Sequence, residues 1–164
     1  MKLLIITPRV PETLDKGNKL RIFHQIKFLS KFHEIHLICL EKRKKEKLEI
    51  RKYIKSLYTI HTHHINKLFN VLYYTLIKKK PIQVSYYYSK KSQKKIDYLV
   101  HKINPDWIYC QLIRSSEYIK LYKNKKIIDY MDSFSLGLKR RKLIAKGVMN
   151  LLVRFEHYHV KQYE

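Results

Sequence analysis

Short runs rich in β-branched and aromatic residues recur along this chain, separated by stretches with a helical period. Leu3–Thr7 is continuously apolar, as a strand covered on both faces requires. Ile35–Leu40 repeats that character, and Leu57–His61, Asp106–Cys110 and Lys126–Tyr130 read as three further strands. Strands that alternate with helices pair in parallel, because each return to the starting edge needs a crossover, and the crossover helices cover the sheet faces. The expectation is an α/β fold of Rossmann-like type. It is an open, mostly parallel sheet flanked by helices, in a single domain over residues 1–164.

Lys91–Ile103 is the plainest helix, with Ile96, Leu99, Val100 and Ile103 on one stripe and Asn104-Pro105 behind it as a stop. Asn18–Lys31 carries Ile22, Ile26 and Leu29 on one side, with Asn18 as the candidate N-cap. Lys42–Lys55 reads as a highly charged surface helix, and Asn66–Lys80 as a helix stopped by Pro81. From Phe134 to Glu164 the chain reads as mostly helical, broken near Gly137 and Gly147. Two prolines and a glycine make Pro8–Gly17 a long loop.

Charge narrows the class further. Lys and Arg number 36 against 13 Asp and Glu, for a formal net charge of +23. A surplus of that size draws a protein toward anionic lipid headgroups or nucleic acid. A chain rich in Lys, Ile and Tyr also arises from an AT-rich genome, with no partner involved. Nucleic acid is not expected, because neither an RNA-binding signature nor a recognition helix is present. Only 3 Gly and 4 Pro argue against long flexible linkers. Cys39 and Cys110 each fall near a strand end and read as two buried thiols in a reducing compartment, not a disulfide. No apolar stretch approaches the roughly 18 to 20 residues of a membrane span, and the apolar run after Met1 is too short for a signal peptide. The expected location is cytoplasmic, peripheral to the inner face of the membrane.

In open α/β sheets, function collects beyond the C-terminal ends of the strands. Those places are Thr7–Gly17, Cys110–Ser116 and Met131–Ser135. In the first, Lys16, Gly17, Asn18 and Arg21 are candidates for binding. A glycine beside a helix N-terminus lets backbone approach a ligand, and the free N–H groups there attract anions. One glycine is not a dinucleotide fingerprint, and taken alone Gly17 also reads as an ordinary loop glycine. Gln111 and Arg114, with Ser115, lie beyond a second strand end. Asp132 lies beyond a third, where its rival role is capping the next helix. The histidines His61, His63 and His64, and the pair His157 and His159, lack the convergence that a metal needs. No catalytic residue, metal or cofactor is assigned. Tyr86, Tyr87 and Tyr88 read as an aromatic patch under a loop, with stacking on sugars as the alternative.

The run Ile6-Thr7-Pro8-Arg9-Val10-Pro11, then Asp15-Lys16-Gly17-Asn18-Lys19-Leu20-Arg21, then His33-Glu34-Ile35-His36-Leu37, resembles the opening of GT-B glycosyltransferases. The resemblance is to the glycosyl transferase group 1 (family 4-like) superfamily, and within it to bacterial sugar transferases of exopolysaccharide assembly. Pro81-Ile82-Gln83-Val84 resembles that family's lead-in to its middle helix, and Asn104–Gln111 resembles one of its strands. Ile127-Ile128-Asp129-Tyr130-Met131-Asp132-Ser133 resembles the strand and aspartate before its terminal N-domain helices. Arg154–Glu164 resembles the long helix that closes that half. Nearly all 164 residues are covered, through order and spacing and not through one decisive motif.

The resemblance implies the N-terminal, acceptor-side half of a GT-B enzyme, its glycine loop facing an interdomain cleft. In relatives, a second Rossmann-like domain binds the nucleotide-sugar donor and supplies a paired-glutamate motif; the expectation is that this C-terminal domain is absent here. The full enzyme would transfer a sugar from a nucleotide-sugar donor to a glycan or lipid-linked acceptor in cell-surface polysaccharide synthesis, and the chain alone would be inactive. Glu156 and Glu164 stand at the paired-glutamate spacing but lack a glycine-bearing loop before them, so they read as surface residues. The competing expectation is a basic α/β binding module for nucleic acid or an anionic membrane surface. A third, an unrelated small enzyme, founders because no nucleophile, base and orienting group can be assembled.

Overall fold

The computed structural model describes residues 1–11, 15–41, 49–61 and 64–164. Five strands, β1 (Lys2–Thr7), β2 (Glu34–Cys39), β3 (Ser56–Thr59), β4 (Trp107–Gln111) and β5 (Lys125–Asp129), form one sheet in the order β3-β2-β1-β4-β5. Every pairing is parallel, with Leu3 opposite both Ile35 and Trp107. The open Rossmann-like sheet expected from the strand pattern is what the chain forms.

Helix α1 (Gly17–Leu29) covers one face, packing Ile22, Phe23 and Ile26 against Leu3, Ile5, Ile35 and Leu37. Ile50, on a 3₁₀ turn over Glu49–Tyr53, completes that core. Residues 42–48, the first half of the charged helix expected over Lys42–Lys55, lie outside the described residues. Helix α4 (Lys90–Ile103) covers the other face, setting Ile96, Leu99, Val100 and Ile103 on Leu4, Ile6, Ile38 and Ile108. Its start is capped by Ser89, whose Oγ accepts the Ser92 N–H at 3.0 Å. It ends at Asn104, which takes the left-handed conformation (φ 48°) and donates its N–H to Val100, with Pro105 preventing continuation. Cys39 and Cys110 are buried thiols, one in each face's core, and are not joined in a disulfide. Burial pushes the Cys110 thiol up to about 12.

Between β3 and α4, α2 (His64–Val71) continues into a π-helical stretch, Leu72–Ile77, and α3 (Ile82–Tyr87) follows Pro81. The single helix expected to reach Lys80 therefore widens midway and stops earlier. After β4 come α5 (Ile113–Ser116) and a 3₁₀ turn, Glu117–Ile119. After β5 come α6 (Phe134–Ile144) and α7 (Gly147–Tyr163). Gly137 does not break α6, since an interior glycine costs only about 1 kcal/mol relative to alanine. The break falls at Ala145-Lys146, beside Gly147 with φ 54°. A third core joins these elements: Val84 of α3, Ile113 of α5, Leu138 of α6, and Val153 and Val160 of α7. Strand β5 is the sheet's exposed edge, with Lys125, Lys126, Ile127 and Ile128 open to solvent. Among the described residues, no helix is long and apolar enough to cross a membrane.

Candidate functional site

The strand order turns back at β1. From it the chain proceeds to β2 on one side, while β4 pairs on the other, and a switch point of this kind is where open α/β sheets place ligands, beyond the C-terminal strand ends. Two sequence candidates meet there. Gln111, the buried last residue of β4, donates from Nε2 to the backbone carbonyl of Asn18 at 2.7 Å. This bond fastens the start of α1 to the end of β4.

Lys16, extended and exposed, is the N-cap of α1, and Asn18 lies inside the first turn. Asn18 was expected as the cap; the helix begins one residue earlier, and Asn18 contributes its carbonyl in place of a cap. The Lys16 carbonyl accepts from Lys19 and Leu20, but its side chain makes no capping bond, and the first turn holds no acidic residue. The positive end of the helix dipole is thus unopposed by a carboxylate within that turn. Gly17 needs no left-handed backbone, and a Cβ built on it meets nothing within 4 Å. Its lack of a side chain leaves room at the rim without serving the turn.

Arg21, expected to lend charge to the switch point, is engaged by Asp129 at the end of β5. Its Nε and Nη2 donate to the two carboxylate oxygens at 3.0 and 3.2 Å. The same carboxylate accepts from Tyr109 at 2.6 Å, from Gln25 at 3.2 Å and from the Met131 N–H at 2.9 Å. Burial raises the Asp129 carboxyl, but the Tyr109, Gln25 and Met131 hydrogen bonds and the Arg21 charge outweigh it and hold the group below its usual value. The Tyr109 hydroxyl is driven the other way, by its own burial and by the carboxylate beside it. Asp129, Tyr109 and Gln25 were not singled out from the sequence. Their side-chain partners lie 20 to 108 residues away, and the one local signal was an acid at the end of a strand in a very basic chain.

Arg114 on α5 donates from Nε to Gln83 Oε1 at 2.6 Å, its guanidinium 6.0 Å from the Tyr87 ring centroid. It is tied to α3 and does not join Gln111 and Asn18. Asp132 is exposed, and the capping role open to it goes to neighbours. The Leu136 N–H points to Ser133 Oγ at 3.4 Å, and Phe134 N–H donates to Glu164 at 3.0 Å.

Glu156 corrects the surface reading. It is buried, and its carboxylate accepts the N–H groups of Ile82 and Gln83 at 2.7 and 3.2 Å. The physical reason is the start of α3, where Pro81 offers no capping side chain and the orphan donors need an acceptor. Burial pushes the Glu156 carboxyl up, and these two bonds only partly offset that. Glu164 is exposed, as expected.

His63 lies outside the described residues, and among those described no three metal-ligating side chains gather. His159 is buried, its Nδ1 donating to the Phe155 carbonyl at 2.9 Å, with the two ring centroids 4.1 Å apart and the rings tilted by 38°. Tyr87 and Tyr88 pack against the α4-side core, and Tyr118 donates to the Tyr87 carbonyl at 2.6 Å, so the patch is scaffold. A cavity of about 270 Å³ lined by Met1, Leu3, His33 and Trp107 sits at the opposite, N-terminal end of the strands. No protein-family model matches this chain, and no curated protein matches it either.

Proposed function

We propose that this chain is the acceptor-side half of a two-domain glycosyltransferase. A complementary C-terminal domain would hold the nucleotide-sugar donor, and a glycan or lipid-linked acceptor would lie against the rim described above. The observation that carries the reading is the β1–β4 switch point, where side-chain-free Gly17 adjoins Asn18, itself fixed by Gln111. The order of motifs along the chain supplies the reaction class. In this reading Lys16, Gly17, Asn18 and Asp132 border the acceptor. Gln111 and Arg21 hold the elements that carry them, while Arg114 ties α5 to α3 beside them. None is a catalytic residue. Transfer joins an acceptor hydroxyl oxygen to the donor's anomeric carbon as the bond to the nucleotide phosphate breaks, and positioning supplies much of the rate. One wall of such a cleft positions one reactant.

The test joins this chain to a GT-B donor domain and measures sugar transfer, with the 164-residue chain alone as control. The joined protein should transfer and the chain alone should not. Gly17→Val should cut the rate at least about tenfold, equivalent to about 1.4 kcal/mol, with an unchanged melting temperature. Turnover by the isolated chain, or a Gly17→Val protein as fast as the parent, defeats the reading.

A further inference from the structure

The elbow joining α6 and α7 carries apolar residues that the fold holds outward. Leu143, Ile144 and Val148 are 85%, 78% and 74% exposed, and Met149, Leu151 and Leu152 extend the surface along the first turns of α7. With Val153 buried, that part of α7 is apolar nearly all round, a pattern found in helices buried in protein or in lipid. The elbow is also braced from within. Asn150 Nδ2 donates to the carbonyls of Lys142 and Ala145 at 3.1 and 2.9 Å, clamping the turn, while Leu138, Val153 and Val160 anchor both helices below.

Charge identifies the occupant. Lys139, Arg140, Arg141, Lys142 and Lys146 flank the apolar tip, and the only acid between Phe134 and Tyr163 is buried Glu156. We propose that this elbow docks the protein on an anionic lipid bilayer, its leucine and isoleucine side chains entering the headgroup–acyl boundary while the flanking cations meet phosphate. Nucleic acid has phosphate for the cations but no apolar phase for Leu143 and Ile144. A second copy has an apolar surface to offer, yet a chain of net charge +23 repels itself. An anionic bilayer matches both features. The inference does not depend on what the switch point binds.

The experiment uses the 164-residue chain with vesicles of equal parts phosphatidylcholine and phosphatidylglycerol, and with phosphatidylcholine alone. Three proteins are compared: the parent, the triple variant Leu143→Gln/Ile144→Gln/Val148→Gln, and the triple variant Arg140→Gln/Arg141→Gln/Lys142→Gln. Thermal melting first confirms that each is folded. The parent should sediment with anionic vesicles and hardly with neutral ones, and each triple variant should bind at least about tenfold more weakly. Because Cys39 and Cys110 are fully buried, Val148→Cys can be labelled alone with an environment-sensitive dye in the folded protein. Its emission should shift blue on the anionic vesicles, as insertion requires and surface adsorption does not. The proposal is overturned if the apolar triple variant binds like the parent, or if the dye stays in water while the protein is bound. It is overturned equally by a parent that dimerises through the elbow in sedimentation equilibrium without binding vesicles, or that prefers an oligonucleotide to them.

Discussion

The central sheet and the α6–α7 hairpin are both rich in large aliphatic side chains, and they treat them in opposite ways. In β1 and β2 the aliphatic residues from Leu3 to Ile6 and from Ile35 to Ile38 are covered on both faces by α1 and α4. In the hairpin, Leu138, Val153 and Val160 are buried, while Leu143, Ile144, Val148 and Leu151 stand in solvent. The difference separates apolar residues that make the fold from those held by it. The former are enclosed by elements distant in sequence, and the latter sit on a turn secured by local hydrogen bonds.

Truncation breaks or confirms this contrast most directly. Leu37→Ala, at a fully buried position, should cost about 2–5 kcal/mol through lost transfer energy and the cavity left behind. The same truncation at Leu143 should stay within about 0.5 kcal/mol. Urea unfolding measures both, and comparable losses at the two positions would mean that the elbow is enclosed in solution.

Next in size is the join between the two regions. Glu156→Ala leaves the Ile82 and Gln83 N–H groups without their acceptor at a buried helix start. A loss of about 1–3 kcal/mol is expected, with Glu156→Gln milder because one carbonyl oxygen remains. If the alanine variant unfolds at the parent's urea concentration, α7 is not what secures α3.

Acid sharpens the comparison through two glutamates, Glu156 buried and Glu117 partly buried, with opposed titrations. Burial raises the Glu117 carboxyl, but the Lys80 and Tyr163 hydrogen bonds and the neighbouring lysine charges prevail and hold it below its ordinary 4.5. Its stabilisation is present above that value and is lost as pH falls through the folded-state pKa. Glu156 is raised, so the folded state binds its proton more readily than the unfolded chain does. Its contribution is greatest below 4.5 and declines as pH rises through the folded-state pKa. In melting curves across the acid range, Glu117→Gln should flatten the fall in stability at low pH, and Glu156→Gln should steepen it. Identical profiles for the two variants would contradict the opposed assignment.

The smallest effect is at Gly17. With no left-handed φ and open space for a Cβ, Gly17→Ala should lose no stability and gain up to about 1 kcal/mol from the less flexible unfolded chain and better helix propensity. A fall in melting temperature would make this glycine part of the scaffold, as the sheet residues are, and remove it from the rim.

What the sequence made legible follows the same division. Strands covered on both faces need unbroken apolar runs, so β1 and β2 stand out, and the stripe from Ile96 to Ile103 marks α4 to within one residue. The switch point was legible from the strand pattern, and of the residues named beside it Gln111 and Asn18 are joined by a hydrogen bond. Arg21 was placed at the rim, but its engagement by Asp129 was not legible, because that pair spans 108 residues. Nor was the burial of Glu156, whose need arises 74 residues earlier, at a helix start lacking its own cap. Acids in a very basic chain read as solvated, and only the fold shows which of them are enclosed.

The pairing of β1 with both β2 and β4 also has a consequence for synthesis. Leu3 meets Ile35 and Trp107, and the Lys2 N–H is received by Asp106, 104 residues on. At about 5–20 residues per second, β1 leaves the ribosome roughly 5 to 20 s before β4 exists to pair with it. Throughout that interval this apolar strand has one bare flank, and the sheet is completed only when β4 emerges.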